Sequence, residues 1–414
     1  MTVAILSDSP ALTTGFGRTT SRMAGAITGR GGDVACFGFK GAPGDTPSGL
    51  PYRIWPAERG GHWTESLPDF FTWASPNVVL LNMDIYNAAE GMQACRDAGW
   101  NGPVVSYVCI DGIPVYQPYL DIQRACAAVW ATSQTGAAYL RGEGISVDGV
   151  APPGVDTAVF RPDPDPAALR RRAGLADATV VGVFGTNTER KQIHRAVTGF
   201  ALAAGRLPDL DLRLYLHCRP HGYRDLAQLA DELGIGERVI FPAESFDESR
   251  GVPTAADGDH AREISSAVGG PPGTAMSDLS YVDRINCCDV VVNVPHSGDF
   301  EQVILEGQAC GVPLIHTDDH GVMSEALGDA AVRLPAAETR TAPSGGLLYY
   351  PSPEHVAAAL EHVLASAELR AQLRSAGLAN AARYPWRVLE DAACAMTELY
   401  TTTHGPLAPQ ARTH

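Results

Sequence analysis

The sequence lacks a long apolar run, which bears on where the protein works. No stretch of its 414 residues approaches the roughly 18 apolar residues that span a membrane. The N-terminus, MTVAILSDSP, has only a short apolar stretch and no basic start, so neither secretion nor membrane insertion is indicated. We therefore expect a cytoplasmic protein without stable membrane anchoring.

Basic residues are also scarce. The chain has 31 Lys and Arg against 47 Asp and Glu, which gives a formal net charge of -16. Neutralising the phosphates along a nucleic acid requires a surplus of positive charge, so this composition disfavours a nucleic-acid partner. The composition does not exclude a local basic pocket.

The nine cysteines include no CxxC pair. Cys36, Cys109 and Cys287 lie in mostly apolar surroundings, as expected of buried free thiols in a reducing compartment. His217, Cys218 and His221 do cluster in YLHCRPHGY, but this is not a recognised zinc spacing and the segment reads as a loop. We expect no metal.

Short β-rich runs alternate with amphipathic stretches along almost the whole chain, from VAILS to VPLIH. This alternation predicts an α/β protein with parallel strands and crossover helices, and the length and 45% hydrophobic content suit two doubly wound domains. The predicted organisation is a first domain over 1–150, a linker over 151–166, a second domain over 167–385 with an insertion at 247–275, and a terminal helix and tail over 386–414.

The segment EQVILEGQACGVP, from Glu301 to Pro313, follows the buried strand DVVVNVP. On a helix, Glu306 falls within about 60 degrees of Val303 and Cys310. A carboxylate on such an apolar face costs desolvation unless it finds a hydrogen-bonding partner, and two vicinal ribose hydroxyls would be suitable. A structural glutamate that caps or pairs within its own domain is the competing interpretation.

The segment GVFGTNTERKQIHRAVTGF ends a strand at Gly185 and begins a helix. Asn187 or Thr188 can cap this helix, and Arg190 and Lys191 lie at its start. Free backbone amides, the positive helix end and two cations together make an anion site suited to a diphosphate. A solvated basic pair is the alternative.

Two further turns are candidates for ligand contact. Gly15 and Gly17, in the first strand-to-helix turn, would let the backbone approach a ligand closely, although Thr20 breaks the full dinucleotide fingerprint GxGxxG. Asp111 follows the fourth predicted strand, at the sheet edge where α/β proteins bind ligands. It either orients an acceptor or caps a turn.

With these residues in place, the chain resembles the retaining glycosyltransferases of family 4, within the glycogen-synthase-like and sucrose-synthase-like group. The matching motifs are TGFG, PPGVDTAVFRP, GTNTERKQ and LEGQACGVP, together with the helix after Trp386, so the resemblance covers most of the chain. It implies a GT-B fold, in which two Rossmann-like domains face a cleft, with the nucleotide bound by the second domain and the acceptor by the first.

The resemblance also implies roles for individual residues. Arg190 and Lys191 would hold the donor diphosphate, Glu306 the ribose, and the backbone around Phe300 to Val303 the transferred sugar and its phosphate. The predicted catalytic residues are Lys191, Arg190 and Asp111. The predicted donor-binding residues are Gly15, Gly17, Asn187, Arg190, Lys191, Asp299, Phe300, Glu301, Gln302, Val303 and Glu306.

The sequence departs from the family at one position. Family members usually carry an acid eight residues before the one matched by Glu306, and here that residue is Gly298. Asp299 and Glu301 are the nearby substitutes, although a helical projection points Glu301 away from Glu306. Where many members carry a histidine, this chain has the segment Cys109 to Asp111, and Asp111 is the predicted substitute.

The function implied is transfer of a sugar, with retention, from a UDP- or GDP-sugar to a small-molecule acceptor in the biosynthesis of a glycosylated secondary metabolite. No cofactor beyond the donor is expected, and a homodimer is left open. A nucleotide-sugar epimerase or a phosphorylase on the same fold, or a nucleotide-sugar-binding protein without catalysis, are the alternatives.

Overall fold

The structure is a computed structural model that describes residues 2–39, 49–56, 63–241, 276, 279–398 and 400. The predicted insertion at 247–275 and the predicted tail after residue 401 lie outside the described residues.

A seven-stranded parallel sheet forms the first unit, with the strand order β3-β2-β1-β4-β5-β6-β7. Its strands are β1 (Thr2–Ser7), β2 (Asp33–Gly38), β3 (Arg53–Pro56), β4 (Val78–Asp84), β5 (Val104–Cys109), β6 (Ala128–Ala131) and β7 (Gly149–Val150). Its helices are α1 (Gly15–Gly29), α2 (Leu67–Ala74), α3 (Ile85–Asp97), α4 (Gln117–Arg124) and α5 (Gln134–Gly142).

Both faces of this sheet are buried. In β1, Val3 and Ile5 belong to the apolar core under α1, whereas Ala4 and Leu6 belong to the core under α2 and α3. Successive side chains of a strand point to opposite faces, so a strand covered on both sides is apolar throughout. The continuous run VAILS therefore has a direct structural cause.

A six-stranded parallel sheet forms the second unit, with the order β10-β9-β8-β11-β12-β13. Its strands are β8 (Thr179–Phe184), β9 (Leu212–His217), β10 (Val239–Ile240), β11 (Val290–Asn293), β12 (Leu314–Thr317) and β13 (Ala331–Leu334). The helices of this part of the chain are α6 (Pro166–Arg172), α7 (Ile193–Arg206), α8 (Leu226–Glu232), α9 (Tyr281–Asn286), α10 (Gln302–Ala309), α11 (Val322–Leu327), α12 (Pro353–Ala365) and α13 (Ala367–Ala381). The predicted α/β class with two parallel sheets is confirmed.

The rest of the described chain connects the two units. An antiparallel hairpin, β14 (Glu338–Thr341) and β15 (Leu347–Tyr350), follows the second sheet. The last helix, α14 (Arg387–Glu398), returns to the first unit, where Leu389 and Ala393 join the core that also contains Met23 of α1. None of the helices in the described ranges is long and apolar enough to cross a membrane.

Candidate functional site

Buried polar atoms gather in the loop between β11 and α10. Within the described part of the chain, no hydrogen-bond partner exists for Oδ1 of Asp299, for either amide atom of Gln302, or for Nε2 of His296. All three residues are at most 8% exposed. Because buried polar groups in native proteins are nearly always satisfied, this loop has the character of a ligand site.

The two predicted diphosphate-binding cations lie directly against this loop. Arg190 and Lys191 belong to a 3₁₀ turn, Glu189–Lys191, and α7 begins only at Ile193. Both cations pair with the Glu301 carboxylate, Arg190 through Oε1 and Lys191 through Oε2. Arg190 also donates to the backbone oxygen of Ser297 at 2.9 Å. The solvated-pair alternative is therefore wrong for Lys191, whose side chain is only 14% exposed.

The ion pairs set the protonation states. Burial alone would raise the pKa of Glu301, but Arg190 and Lys191 outweigh it and hold that pKa well below its usual range. Burial lowers the pKa of Lys191, and the attraction of Glu301 offsets part of this effect. The carboxylate is thus ionised and occupies the place where an anion would meet both cations.

Gly298 explains how Glu301 fits there. A Cβ atom on residue 298 would lie 2.7 Å from Oε1 of Glu301 and 3.0 Å from Nη1 of Arg190. The Glu301 carboxylate therefore fills space that a side chain at position 298 would need. Glu301 precedes α10 as its N-cap, and its carboxylate has different partners from that of Glu306.

Glu306 links the two units of the chain. It is 2% exposed, pairs with Arg18 of α1 and accepts a hydrogen bond from the Tyr281 hydroxyl at 3.0 Å. The sequence suggested small apolar neighbours or a partner within the same domain. One partner, Arg18, instead comes from the first unit, directly after the TGFG motif.

The glycines of that motif differ from each other. A Cβ on Gly17 would approach the backbone oxygen of Leu12 to 2.4 Å, so Gly17 is required by the packing of its own loop. Ligand approach at Gly17 stays a prediction beside this packing role. A Cβ on Gly15 meets nothing within 4 Å. Thr14 caps α1 by accepting from the Gly17 amide at 3.0 Å.

Asn187 does not cap α7, contrary to the expectation. Its amide nitrogen donates to the backbone oxygens of Arg219, Pro220 and Arg224, with the shortest distance, 2.8 Å, to Arg224. Thr188 precedes the 3₁₀ turn without a side-chain cap bond. The turn after β8 is thus fastened to a neighbouring loop, and its cations are positioned before the helix starts.

The other predicted donor residues take structural positions around this loop. Phe300 is buried against Tyr384, with ring centroids 5.0 Å apart. Val303 packs against the core beneath α10. The two residues fix the entry into α10, while Gln302 between them keeps its buried amide without a partner among the described residues.

On the first unit, acidic residues end two neighbouring strands. Asp84 is the last residue of β4, and Asp111 accepts a hydrogen bond from the Cys109 thiol at 3.2 Å. Burial, reinforced by repulsion from Asp111, raises the pKa of Asp84 to about 7. The Asp299 carboxyl also interacts with this group, and burial raises its pKa to about 8. The predicted acceptor-side aspartate and the donor loop thus meet.

The histidines of YLHCRPHGY have other partners. Nδ1 of His217 lies 2.7 Å from the Tyr215 hydroxyl, and Nδ1 of His221 lies 3.0 Å from Asp225 at the surface. This arrangement does not bring His217 and His221 to a common point.

Two contacts hold the units together beside the site. Glu325 of α11 accepts hydrogen bonds from the amides of Gln134 and Thr135 at 2.9 and 2.7 Å, and so covers the N-terminus of α5. The loop after β5 also bonds the hairpin turn, since the Tyr116 amide donates to the oxygen of Ser344 at 2.9 Å. Asp111 lies on the loop that this second contact fastens.

Arg18, Tyr281, Asp84 and Glu325 were missed from the sequence. Arg18 had a signal, since it is a cation directly after the glycine turn of the first unit. Asp84 had one as well, because it ends the buried run NVVLLNMD at the sheet edge that carries Asp111. Tyr281 and Glu325 had none, as their partners lie on distant parts of the chain.

Known proteins are similar to this chain in sequence and in fold. No family model matches the sequence. The chain is 31% identical over 245 residues to a D-inositol 3-phosphate glycosyltransferase of Stackebrandtia nassauensis, covering 57% of this chain and 45% of that protein. It is 32% identical over 165 residues to a GDP-mannose-dependent α-(1-6)-phosphatidylinositol monomannoside mannosyltransferase of Mycolicibacterium smegmatis, covering 40% and 36%. The match thus spans less than half the length of each relative.

Solved structures superpose on almost the whole chain. Sucrose-phosphate synthase of Thermosynechococcus elongatus superposes with a TM-score of 0.68 at 17% identity, covering 97% of this chain and 98% of that one. Anabaena HepE in complex with UDP-glucose gives 0.65 at 16% identity, covering 96% and 100%. The chain has the GT-B fold, and over part of its length it is similar in sequence to the two glycosyltransferases named above. In this GT-B protein, the polar loop after β11 and the acidic ends of β4 and β5 face each other across the junction of the two units.

Proposed function

We propose that the protein is a glycosyltransferase that moves a sugar, with retention, from a UDP- or GDP-sugar to a small-molecule acceptor. The observation that carries the proposal is the loop from His296 to Gln302, with its buried polar atoms beside Arg190 and Lys191. Amide and carboxyl groups that lack partners are suited to sugar hydroxyls, and adjacent cations are suited to a diphosphate.

The donor diphosphate would replace the Glu301 carboxylate on Arg190 and Lys191. The same two cations would then stabilise the charge that develops on the leaving diphosphate. Glu306 would bind the ribose: its carboxylate has about four acceptor sites, of which Arg18 and Tyr281 each use one. In such an enzyme the donor phosphate takes the acceptor proton, and closure of the units excludes water.

The nucleotide and the acceptor are the open elements of the proposal. One relative is named as dependent on GDP-mannose, and HepE was solved with UDP-glucose, so both nucleotides are candidates. Other relatives are named for D-inositol 3-phosphate. A phosphorylated acceptor would meet Asp84 and Asp111 here, so we propose an unphosphorylated small molecule of secondary metabolism instead. No metal is required by this scheme.

A direct test measures release of UDP or GDP from a panel of nucleotide sugars in the presence of small polyols. Lys191→Ala should lower turnover by orders of magnitude, because it removes a charge from the leaving group. Arg206→Ala, at the exposed end of α7, is the matched control and should retain full turnover. Equal turnover of wild type and Lys191→Ala would refute the assignment.

A nucleotide-binding protein without transfer is the second candidate. Gly298 stands at the usual acidic position, and Glu301 already pairs with both cations. Tight nucleotide binding without release of nucleotide across all donors and acceptors would favour this function over transfer.

A further inference from the structure

A cluster of acidic residues lies where the first unit meets the loop after β11. Ligand atoms of Asp84, Cys109 and Asp111 all lie within 4.8 Å of one another. The Asp299 carboxyl interacts with both Asp84 and Asp111. Asp299 is 8% exposed, and its Oδ1 has no hydrogen-bond partner among the described residues. A buried carboxyl oxygen without a partner, beside other acidic groups, is suited to a ligand that donates hydrogen bonds and carries positive charge.

The neighbouring cations supply only part of that positive charge. Arg190 interacts with Asp84 and Asp111, but it and Lys191 already share Glu301. A donor diphosphate that displaced Glu301 would bring further negative charge to the same place. Charges this close in a partly desolvated site interact strongly, so the liganded site would need a cation from another source.

The donor set of the cluster suits an ammonium group better than a metal ion. An ammonium presents three N–H donors, and carboxylates accept charge-assisted hydrogen bonds from them. Mg²⁺ instead requires a near-ideal octahedron of oxygen ligands, and one of the three clustered groups is the Cys109 thiol. Burial also raises the pKa of Cys109 well above its usual range, and a protonated thiol is a poor metal ligand.

We propose that Asp84, Asp111 and Asp299 form a cation subsite for a protonated amine on the acceptor, so that the acceptors are amino sugars or amino polyols. This inference rests on the proposed function, because the subsite lies on the acceptor side of the donor loop. The amine would hold the acceptor with a neighbouring hydroxyl directed toward the donor.

The experiment compares compounds that differ only in an amine. Glucosamine and glucose form one pair, and 4-aminocyclohexanol and cyclohexane-1,4-diol form another; each is titrated calorimetrically into the full chain, with and without saturating UDP or GDP. We expect at least one amine to bind about tenfold or more tightly than its hydroxyl partner. Asp111→Asn should remove that preference and leave nucleotide affinity unchanged.

Two controls separate a binding role from a structural one. Asp111→Asn keeps an oxygen that can accept from the Cys109 thiol, and it removes the repulsion that raises the pKa of Asp84, so its melting temperature should not fall. Asp121→Asn, on the exposed face of α4 where Asp121 pairs with Arg124, should keep the amine preference.

Several outcomes would overturn the inference. One is equal binding of amine and hydroxyl partners, in both pairs and both nucleotide states. Another is an amine preference that Asp111→Asn leaves intact. Stoichiometric binding of Mg²⁺ or Mn²⁺ that Asp111→Asn abolishes would replace the amine with a metal. Failure of UDP and GDP to bind would count against the proposed function alone, since the amine titrations are also made without nucleotide.

Discussion

Glu301→Gln tests whether the Glu301 carboxylate occupies the place of the donor diphosphate. The substitution preserves size but removes the negative charge that pairs with both Arg190 and Lys191. In the free protein it leaves two cations beside each other, one of them, Lys191, only 14% exposed. In the nucleotide complex the same cations would pair with phosphate, so the loss should be confined to the free protein.

The magnitude follows from burial. Removing one partner of a buried ion pair costs about 3–5 kcal/mol. The Arg190 side chain is 38% exposed, so solvent screens its share and the lower end, about 3 kcal/mol, applies. For a unit of this size that corresponds to a melting temperature lower by roughly 6–12 °C. Since the nucleotide no longer has to displace a carboxylate, its affinity should rise about tenfold or more.

The assay is thermal unfolding together with calorimetric titration of UDP and GDP. Glu189→Gln is the matched control, because Glu189 is next to the same cations but its side chain is 54% exposed. It should change stability by no more than about 0.5 kcal/mol and leave nucleotide affinity unaltered. If Glu301→Gln melts like wild type, or binds nucleotide more weakly, Glu301 does not occupy the diphosphate site.

Further predictions follow from other contacts. Replacing Glu325 by Gln should weaken the junction of the units by about 1–2 kcal/mol and raise the radius of gyration of the free protein by small-angle scattering; an unchanged radius would contradict this role. Asp84 and Asp299 have raised pKa values, about 7 and about 8, so the stability they contribute falls as the pH rises toward those values. Partial burial lowers the pKa of His194 to about 4, below this range, so the melting temperature should fall between pH 6.5 and 8, by on the order of 1–2 kcal/mol of stability. Asp299→Asn should flatten that slope, and an equally steep slope in the variant would refute the assignment.

The sequence predicted the regular parts of the fold well. Runs such as VAILS and DVVVNVP form strands that are buried on both faces of the sheet. Such strands must be apolar at every position. The hairpin of β14 and β15 was not predicted, because the four residues of β14 are all exposed and show no alternation. The four-residue strand β3 (Arg53–Pro56) lies at the edge of the first sheet and pairs with one neighbour, β2.

The sequence indicated which residues belong to the candidate site but not which of them pair with each other. Arg190, Lys191, Glu301 and Glu306 were all identified from local patterns. The contacts between them were not, since Glu301 and Lys191 are 110 positions apart and Arg18 and Glu306 are 288 apart. Such pairings depend on the packing of the two units, which periodicity and turn chemistry do not encode.

The central claim is that a nucleoside diphosphate binds at Arg190 and Lys191, at the junction of the units. Calorimetric titration of UDP and GDP into wild type and Lys191→Ala tests it most directly. We predict that one nucleotide binds the wild type with 1:1 stoichiometry, and that Lys191→Ala weakens this binding about tenfold or more. The claim would be contradicted if neither UDP nor GDP bound, or if wild type and Lys191→Ala bound the nucleotide with equal affinity.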